Sequence, residues 1–452
     1  MKLPNPIGSK RGRLATFFFL YVTEGIPLGF TAIAIATQMR RQGLSPAEIG
    51  AFVGSLYLPW AFKWAYGPFV DVLSSDRWGR RRMWIVAAQV MMVLTLMAAL
   101  PVHFSTELKL FTYFILVHNV FGATQDVAID ALAVNVLQEE ERGLANGLMF
   151  AGANVGQAIG GSGVLFLAPL IGFRSTYFFV AACILLVTLL VALPIREKPD
   201  PTRVRGEGPR LRAIGSEIVA FGRDALRAFF GTRAAFVGLV VAILPAGAYA
   251  LGLALQSNLA VELGMSDPQI AALNLWSTVV SAAGCVLGGW LSDRLGRRKM
   301  LAIYIAAMSI PTLYLAAEMQ KVGWIMPVDP NMVNRPVVPA GLVSVFWIAV
   351  MVYSVFNGLM YGTRTALFMD VTTPRVAATQ FTAYMALLNL VIAYSANWQG
   401  VCVTKYGYPI TLTIDSTVGL VCLLFLPLMA PRKQKEAVVV PPGAAIPEGM
   451  EP

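Results

Sequence analysis

The sequence predicts an all-α polytopic membrane protein, with twelve transmembrane helices in two pseudo-symmetric six-helix bundles. Three observations lead there. The chain is 57% hydrophobic and only 13% charged, with a mean hydropathy of +0.65, whereas soluble domains carry about 25% charged residues. Apolar runs long enough to cross a hydrocarbon core of roughly 30 Å recur along the whole chain. The two halves also repeat one another's motifs in the same order.

The runs begin near Leu14, Glu48, Met83, Leu110, Gly143, Ser175, Ala234, Asp267, Met300, Gly341, Ala377 and Tyr408. The first continues past Glu24 to about Gln38, too long for the apolar core of a cleavable signal, and reads as a span. Most of the 35 Lys and Arg residues fall in loops on the side of the N-terminus, while Arg40, Arg41, Lys109, Arg174, Lys321, Arg335 and Lys405 fall opposite. An even number of spans with both termini in the cytoplasm satisfies the positive-inside rule. The net charge of +10 therefore reads as topology and attraction to anionic lipid, not as a nucleic-acid footprint.

The division expected is a first bundle over 1–195, a central cytoplasmic loop over 196–233, a second bundle over 234–431 and a disordered tail over 432–452. The second part of the central loop has the pattern of a short amphipathic surface helix. The four cysteines sit in apolar runs without paired spacing, and there are two histidines, so neither a disulfide framework nor a metal centre is expected.

After the second span comes Gly67-Pro-Phe-Val-Asp71, then Asp76-Arg77-Trp78-Gly79-Arg80-Arg81; after the eighth comes Gly289-Trp-Leu-Ser-Asp293-Arg294-Leu295-Gly296-Arg297-Arg298. Glycines allow a tight turn and close helix approach, and an aspartate can cap a helix or pair with arginine. Gly67, Asp71, Arg77, Gly79, Arg80, Gly289, Asp293, Arg294, Gly296 and Arg297 are therefore candidate gating-loop residues. Simple basic anchoring would explain the arginines alone. A second echo aligns Gly122-Ala-Thr-Gln-Asp126-Val-Ala-Ile-Asp130 with Gly362-Thr-Arg-Thr-Ala366-Leu-Phe-Met-Asp370.

A charge at mid-membrane costs about 2.5–3.5 kcal/mol on insertion scales and so needs a reason. Glu24 lies in the first span beside Gly25 and Pro27, Lys63 in the second, and His118, Gly122, Asp126 and Asp130 recur every four residues on one side of the fourth. Asp126, Glu24 and Asp130 are the candidate proton-handling groups, the plainer alternative for Asp126 being a permanent pair with Lys63. Lys63, Gln125, Gln157, Arg364 and Asn389 are the candidate solute contacts, the two cations for anionic groups. His118 reads as a packed histidine, and interhelical hydrogen bonding would account for the amides by itself.

The doubled G-x-x-x-D-R-x-G-R-R loop resembles that of the major facilitator superfamily. "IGAFVGSLYLPWAFKWAYGPFVD", "GRRRMWIVAAQ" and "ATQDVAIDALAVNVLQEEERGLANG" resemble its AmpG-like branch of muropeptide permeases, acetyl-CoA carriers and siderophore importers. Gln125, Asp126, Asp130, Ala131, Glu141, Arg142 and Gly143 fall on that branch's pattern. The fifth span, "GLMFAGANVGQAIGG", lacks the arginine of the permeases' G-Y-R-x-G. The resemblance implies a monomeric bacterial inner-membrane importer that uses the proton gradient and no bound cofactor, with a small polar solute, a muropeptide first, as cargo. A siderophore or an acyl-CoA-type compound is the alternative cargo. A transporter-like sensor and a membrane enzyme built on His118, Asp126 and Asp130 are the rivals from other classes.

Overall fold

The computed structural model describes residues 5–73, 78–197, 210–371 and 377–429. Helices begin within four residues of every expected start, and no strand occurs among the described residues. Arg77 and the expected tail over 432–452 lie outside the described residues.

Twelve uninterrupted apolar spans were expected, and nine helices among the described residues are long and apolar enough to cross a membrane. The second, fourth and seventh expected spans are the exceptions. The second is divided into Pro46–Leu56, Leu58–Ala61, Lys63–Ala65 and Tyr66–Val72, because Pro59 cannot donate within a helix and Lys63 needs a polar partner. The fourth, Leu108–Val136, is continuous but carries His118, Asn119, Gln125, Asp126 and Asp130. The seventh leaves helical form after Arg233–Ile243 and resumes at Ala254–Glu262, with Pro245 and Gly247 in the gap. Each exception holds polar chemistry.

In the first bundle, the first span, Lys10–Arg41, contains a π-helical turn at Phe30–Ile35 just after Pro27, where the proline has removed a donor. It lies against the fifth span, Glu139–Ala158 and its continuation to Ile171, through a stripe of small residues. A Cβ on Gly156 would stand 2.2 Å from the Val22 carbonyl oxygen, and one on Gly160 1.9 Å from that of Ile26. Only glycine lets the two backbones meet so closely, and this contact fixes the rotation of the first helix and hence the direction of Glu24.

In the second bundle, the eighth span Asp267–Leu295, the ninth Arg297–Lys321 and the tenth Leu342–Asp370 pack together, with the twelfth, Tyr408–Val421, beside the ninth. The two bundles meet along the second span against the eleventh, Ala377–Tyr406, and the fifth against the eighth. The expected surface helix is present as Arg210–Gly231, longer than anticipated, and the chain bends by 111° on entering the seventh span.

Candidate functional site

The first bundle brings Glu24, Lys63, Asp126 and Asp130 together in mid-span. The Lys63 Nζ donates to Asp126 Oδ2 at 3.0 Å; the lysine side chain is 18% exposed and the aspartate 3%. The break in the second span lets Lys63 turn inward, and Gly122, one turn before Asp126, makes room for Trp60: a Cβ there would lie 3.2 Å from the indole. Glu24 lies beside the Trp60 indole, and one of its carboxylate oxygens is buried without a partner among the described residues. Asp130, one turn beyond Asp126, accepts from the Tyr21 hydroxyl at 2.6 Å. Gln125 and Gln89 both donate to the Thr23 hydroxyl at 3.0 Å, tying the third and fourth spans to the first beside Glu24. Three carboxylates thus lie within electrostatic reach of one lysine, which bonds Asp126.

The second bundle holds Arg364, 1% exposed. Its Nη1 donates to the Tyr249 hydroxyl at 2.8 Å, and its guanidinium lies 5.7 Å from the Tyr361 ring centroid. Tyr361 is within electrostatic reach of both Arg364 and Lys63. The Arg364 Nε is buried without a partner among the described residues.

Not every expected residue joins this centre. Asn389 donates to the Met385 carbonyl one turn back on its own helix at 3.2 Å. Gln157 is half-buried in the fifth span, where its backbone carbonyl abuts Gly29. His118 contacts the Met92 carbonyl at 2.8 Å and the Thr95 hydroxyl, the packing role read for it.

The loop residues are arranged differently in the two bundles. Arg297 pairs with Asp293 at 2.8 Å and with Asp370, so the second-half loop ties the eighth, ninth and tenth spans. Gly296 permits the turn at φ +97°, and Arg294 stacks over Trp290 at 4.1 Å, while a Cβ on Gly289 would meet open space. In the first half Gly79 turns at φ +83°, and the Glu197 carboxylate caps the third span by accepting from the Arg81 and Arg82 amides at 2.9 and 2.7 Å. Gly67 likewise faces open space, and Arg80 begins the third span. Asp71 lies in the helix Tyr66–Val72.

Sequence reasoning missed a further cluster, at the ends of the spans opposite the termini. Arg40 of the first bundle pairs with Glu262 of the second at 2.8 Å, the side chains 3% and 0% exposed. Glu262 also accepts from the Tyr408 hydroxyl at 2.7 Å and the Val328 amide at 3.0 Å. Beside it Arg41 pairs with Asp267 at 2.6 Å, and Gln38 donates to the same aspartate at 3.0 Å. Arg40 and Arg41 had been counted only as topology residues. The capping signature Ser266-Asp267-Pro268 marked the partner helix, but nothing local linked it to a residue over two hundred positions away.

Two bundles meeting around buried charges and tied at one end is a transporter's layout. A model of the Major Facilitator Superfamily matches residues 16–249 and, again, 237–452. The chain belongs to the major facilitator superfamily. This facilitator is 27% identical over 300 residues to the anhydromuropeptide permease of Escherichia coli (strain K12), a match covering 65% of the chain and 58% of that protein's length. It is 26% identical over 303 residues to the putative transporter AmpG 4 of Rickettsia conorii, covering 66% of the chain and 72% of that protein. Among solved structures, the inward open xylose transporter XylE from E. coli superposes with a TM-score of 0.67 at 13% identity, over 95% of this chain and 98% of that one. A D-xylose-proton symporter gives 0.68 at 14% identity, over 91% and 96%. At such identities the likeness is one of fold. The facilitator is an integral membrane protein, and its family is one of transporters of small solutes.

Proposed function

We propose that this facilitator is a proton-coupled importer of a muropeptide, working by alternating access in a bacterial inner membrane with both termini cytoplasmic. The observation that carries the reading is the Lys63–Asp126 pair at 3.0 Å, flanked by Glu24 and Asp130. A lone lysine shared by three carboxylates can hold one proton or an anionic solute group without leaving a bare charge in the membrane. Lys63 in one bundle and Arg364 in the other offer cations to the carboxylates of a peptide-bearing sugar, with Tyr361 in electrostatic reach of both. Identity to the anhydromuropeptide permease over 300 residues supports the cargo class. Ties between the bundles at the Arg40 end support a state closed there and opening toward the termini. Solute and proton then drive the cycle only through unequal affinity for the two states.

The test is uptake into proteoliposomes, comparing labelled anhydromuropeptide with a ferric siderophore, with and without an inward proton gradient. Gradient-dependent muropeptide uptake is expected, with Asp126→Asn abolishing uphill accumulation and sparing counterflow exchange. Siderophore uptake alone would refute the cargo, and accumulation indifferent to the gradient would refute the coupling.

A further inference from the structure

The seventh span is broken where it passes Arg364. Residues 244–253, "LPAGAYALGL", leave the α-helix, and Gly247 takes φ +91°. The twelfth span presses on the break. A Cβ on Gly419 would stand 2.3 Å from the Gly247 carbonyl carbon, and the Gly247 amide donates to the Gly419 carbonyl at 3.1 Å. Backbone freed from a helix at membrane depth must find other partners, and one side chain supplies them. Asp415, 2% exposed, accepts from the Tyr249 and Ala250 amides at 2.8 and 2.9 Å through Oδ2, and from Gln399 Nε2 at 2.7 Å through Oδ1.

The chain of contacts continues to the candidate anion site. Asp415 fixes the Tyr249 backbone, and the Tyr249 hydroxyl accepts from Arg364. The Arg364 Nε has no partner among the described residues, which leaves a directed donor on a held guanidinium. We infer that Asp415 is a positioning residue for Arg364, acting through the broken seventh span as a hydrogen-bond acceptor and not as a charge. The inference rests on the reading of Arg364 as an anion contact. The donors to Asp415 named above are neutral amides, so its acceptor oxygens matter more than its ionisation. Asparagine can replace it. Its Oδ1 would take both backbone amides, and its Nδ2 would donate to Gln399 Oε1, a buried oxygen without a partner among the described residues, once that amide turns over.

The experiment compares Asp415→Asn, Asp415→Ala and Tyr249→Phe in the full chain. Hydrogen exchange over 244–253 in nanodiscs reads the latch, and labelled anhydromuropeptide uptake reads KM against Vmax. Asp415→Asn should keep amide protection and KM. Asp415→Ala should lose protection at Tyr249 and Ala250 and raise KM on the order of tenfold with Vmax little changed, the scale of one charge-assisted contact misplaced. Tyr249→Phe should keep protection and raise KM similarly, and it decides the question if Asp415→Ala does not fold. Asp415→Asn as damaged as Asp415→Ala, or KM unchanged in Tyr249→Phe, would overturn the inference. If the wild type moves no muropeptide, the proposed cargo fails separately, and protection retained in Asp415→Ala would then overturn the latch.

Discussion

Replacing Glu262 with glutamine should release the closed end of the molecule without unfolding either bundle. The two side chains of the Arg40–Glu262 pair are 3% and 0% exposed, and leaving one partner of a buried pair unmatched costs about 3–5 kcal/mol. Arg40 keeps two carbonyl acceptors, Leu44 at 2.7 Å and Val328 at 2.6 Å, so the lower figure applies. The Tyr408 and Val328 donors to Glu262 lie in the same bundle as the carboxylate, so their disturbance is common to both states and cancels. Of the Glu262 contacts named here, only that with Arg40 crosses between bundles. A loss of about 3 kcal/mol from the closed state is a factor of roughly a hundred in its equilibrium with the open one.

Met265 reports this shift. It is 2% exposed, and its carbonyl accepts from Arg41 across the junction at 2.8 Å. In a background with Cys183, Cys285, Cys402 and Cys422 replaced, alkylation of Met265→Cys by an impermeant maleimide tracks the open population. Adding Glu262→Gln should raise that rate by about a hundredfold. An unchanged rate in folded protein would refute the assignment of the pair as a latch between states.

Other perturbations follow from the same geometry. Lys63→Ala alone should destabilise the detergent-solubilised protein more than Lys63→Ala with Asp126→Asn, because the single change strands a carboxylate that is 3% exposed; thermal unfolding of the two variants checks the order. Arg297→Ala breaks contacts with both Asp293 and Asp370, yet at this exposure stability should fall by only about 1 kcal/mol, while the uptake rate should respond if the loop latches a state. Gly156→Val should separate the first and fifth spans and fail to give a folded monomer by size exclusion, since even a Cβ would stand 2.2 Å from the Val22 carbonyl oxygen. Ahead of the apolar stretch that begins at Gly147, the hydrogen bonds from Arg13 hold the buried Glu141 carboxyl below its usual range. A depressed folded-state value contributes stability above the unfolded carboxyl's pKa, and that stability is lost as pH falls through the folded value. Glu141→Gln should therefore flatten the acid limb of a stability–pH profile.

What could be read from sequence was local or periodic. Span starts followed from apolar runs and basic loops, and the four-residue spacing of His118, Gly122, Asp126 and Asp130 placed them on one helix side. Lys63 was matched with Asp126 because each needed a counter-charge and few others existed. The breaks were signalled by Pro59, Pro245 and Gly247 but were absorbed into continuous apolar runs, since hydropathy is blind to backbone geometry. Arg40 with Glu262 and Asp415 with Tyr249 stayed hidden for another reason. Each joins helices from distant parts of the chain, and the partner amides of Asp415 belong to a backbone whose unwinding no composition reports.

The three spans that depart from a plain apolar helix also bear on how the chain enters the membrane. Lys63 emerges from the ribosome before Asp126, with the third span between them. Until the fourth span arrives, that lysine lacks its hydrogen-bonded partner Asp126 and has only Glu24 of the first span near it, in a setting where an unmatched charge costs about 2.5–3.5 kcal/mol. The second span therefore settles only when the fourth supplies Asp126, which couples the insertion of these two spans. The seventh span faces the same delay, because Asp415 reaches the broken backbone only with the twelfth span. Emergence of the twelfth span is then the event that completes this part of the second bundle.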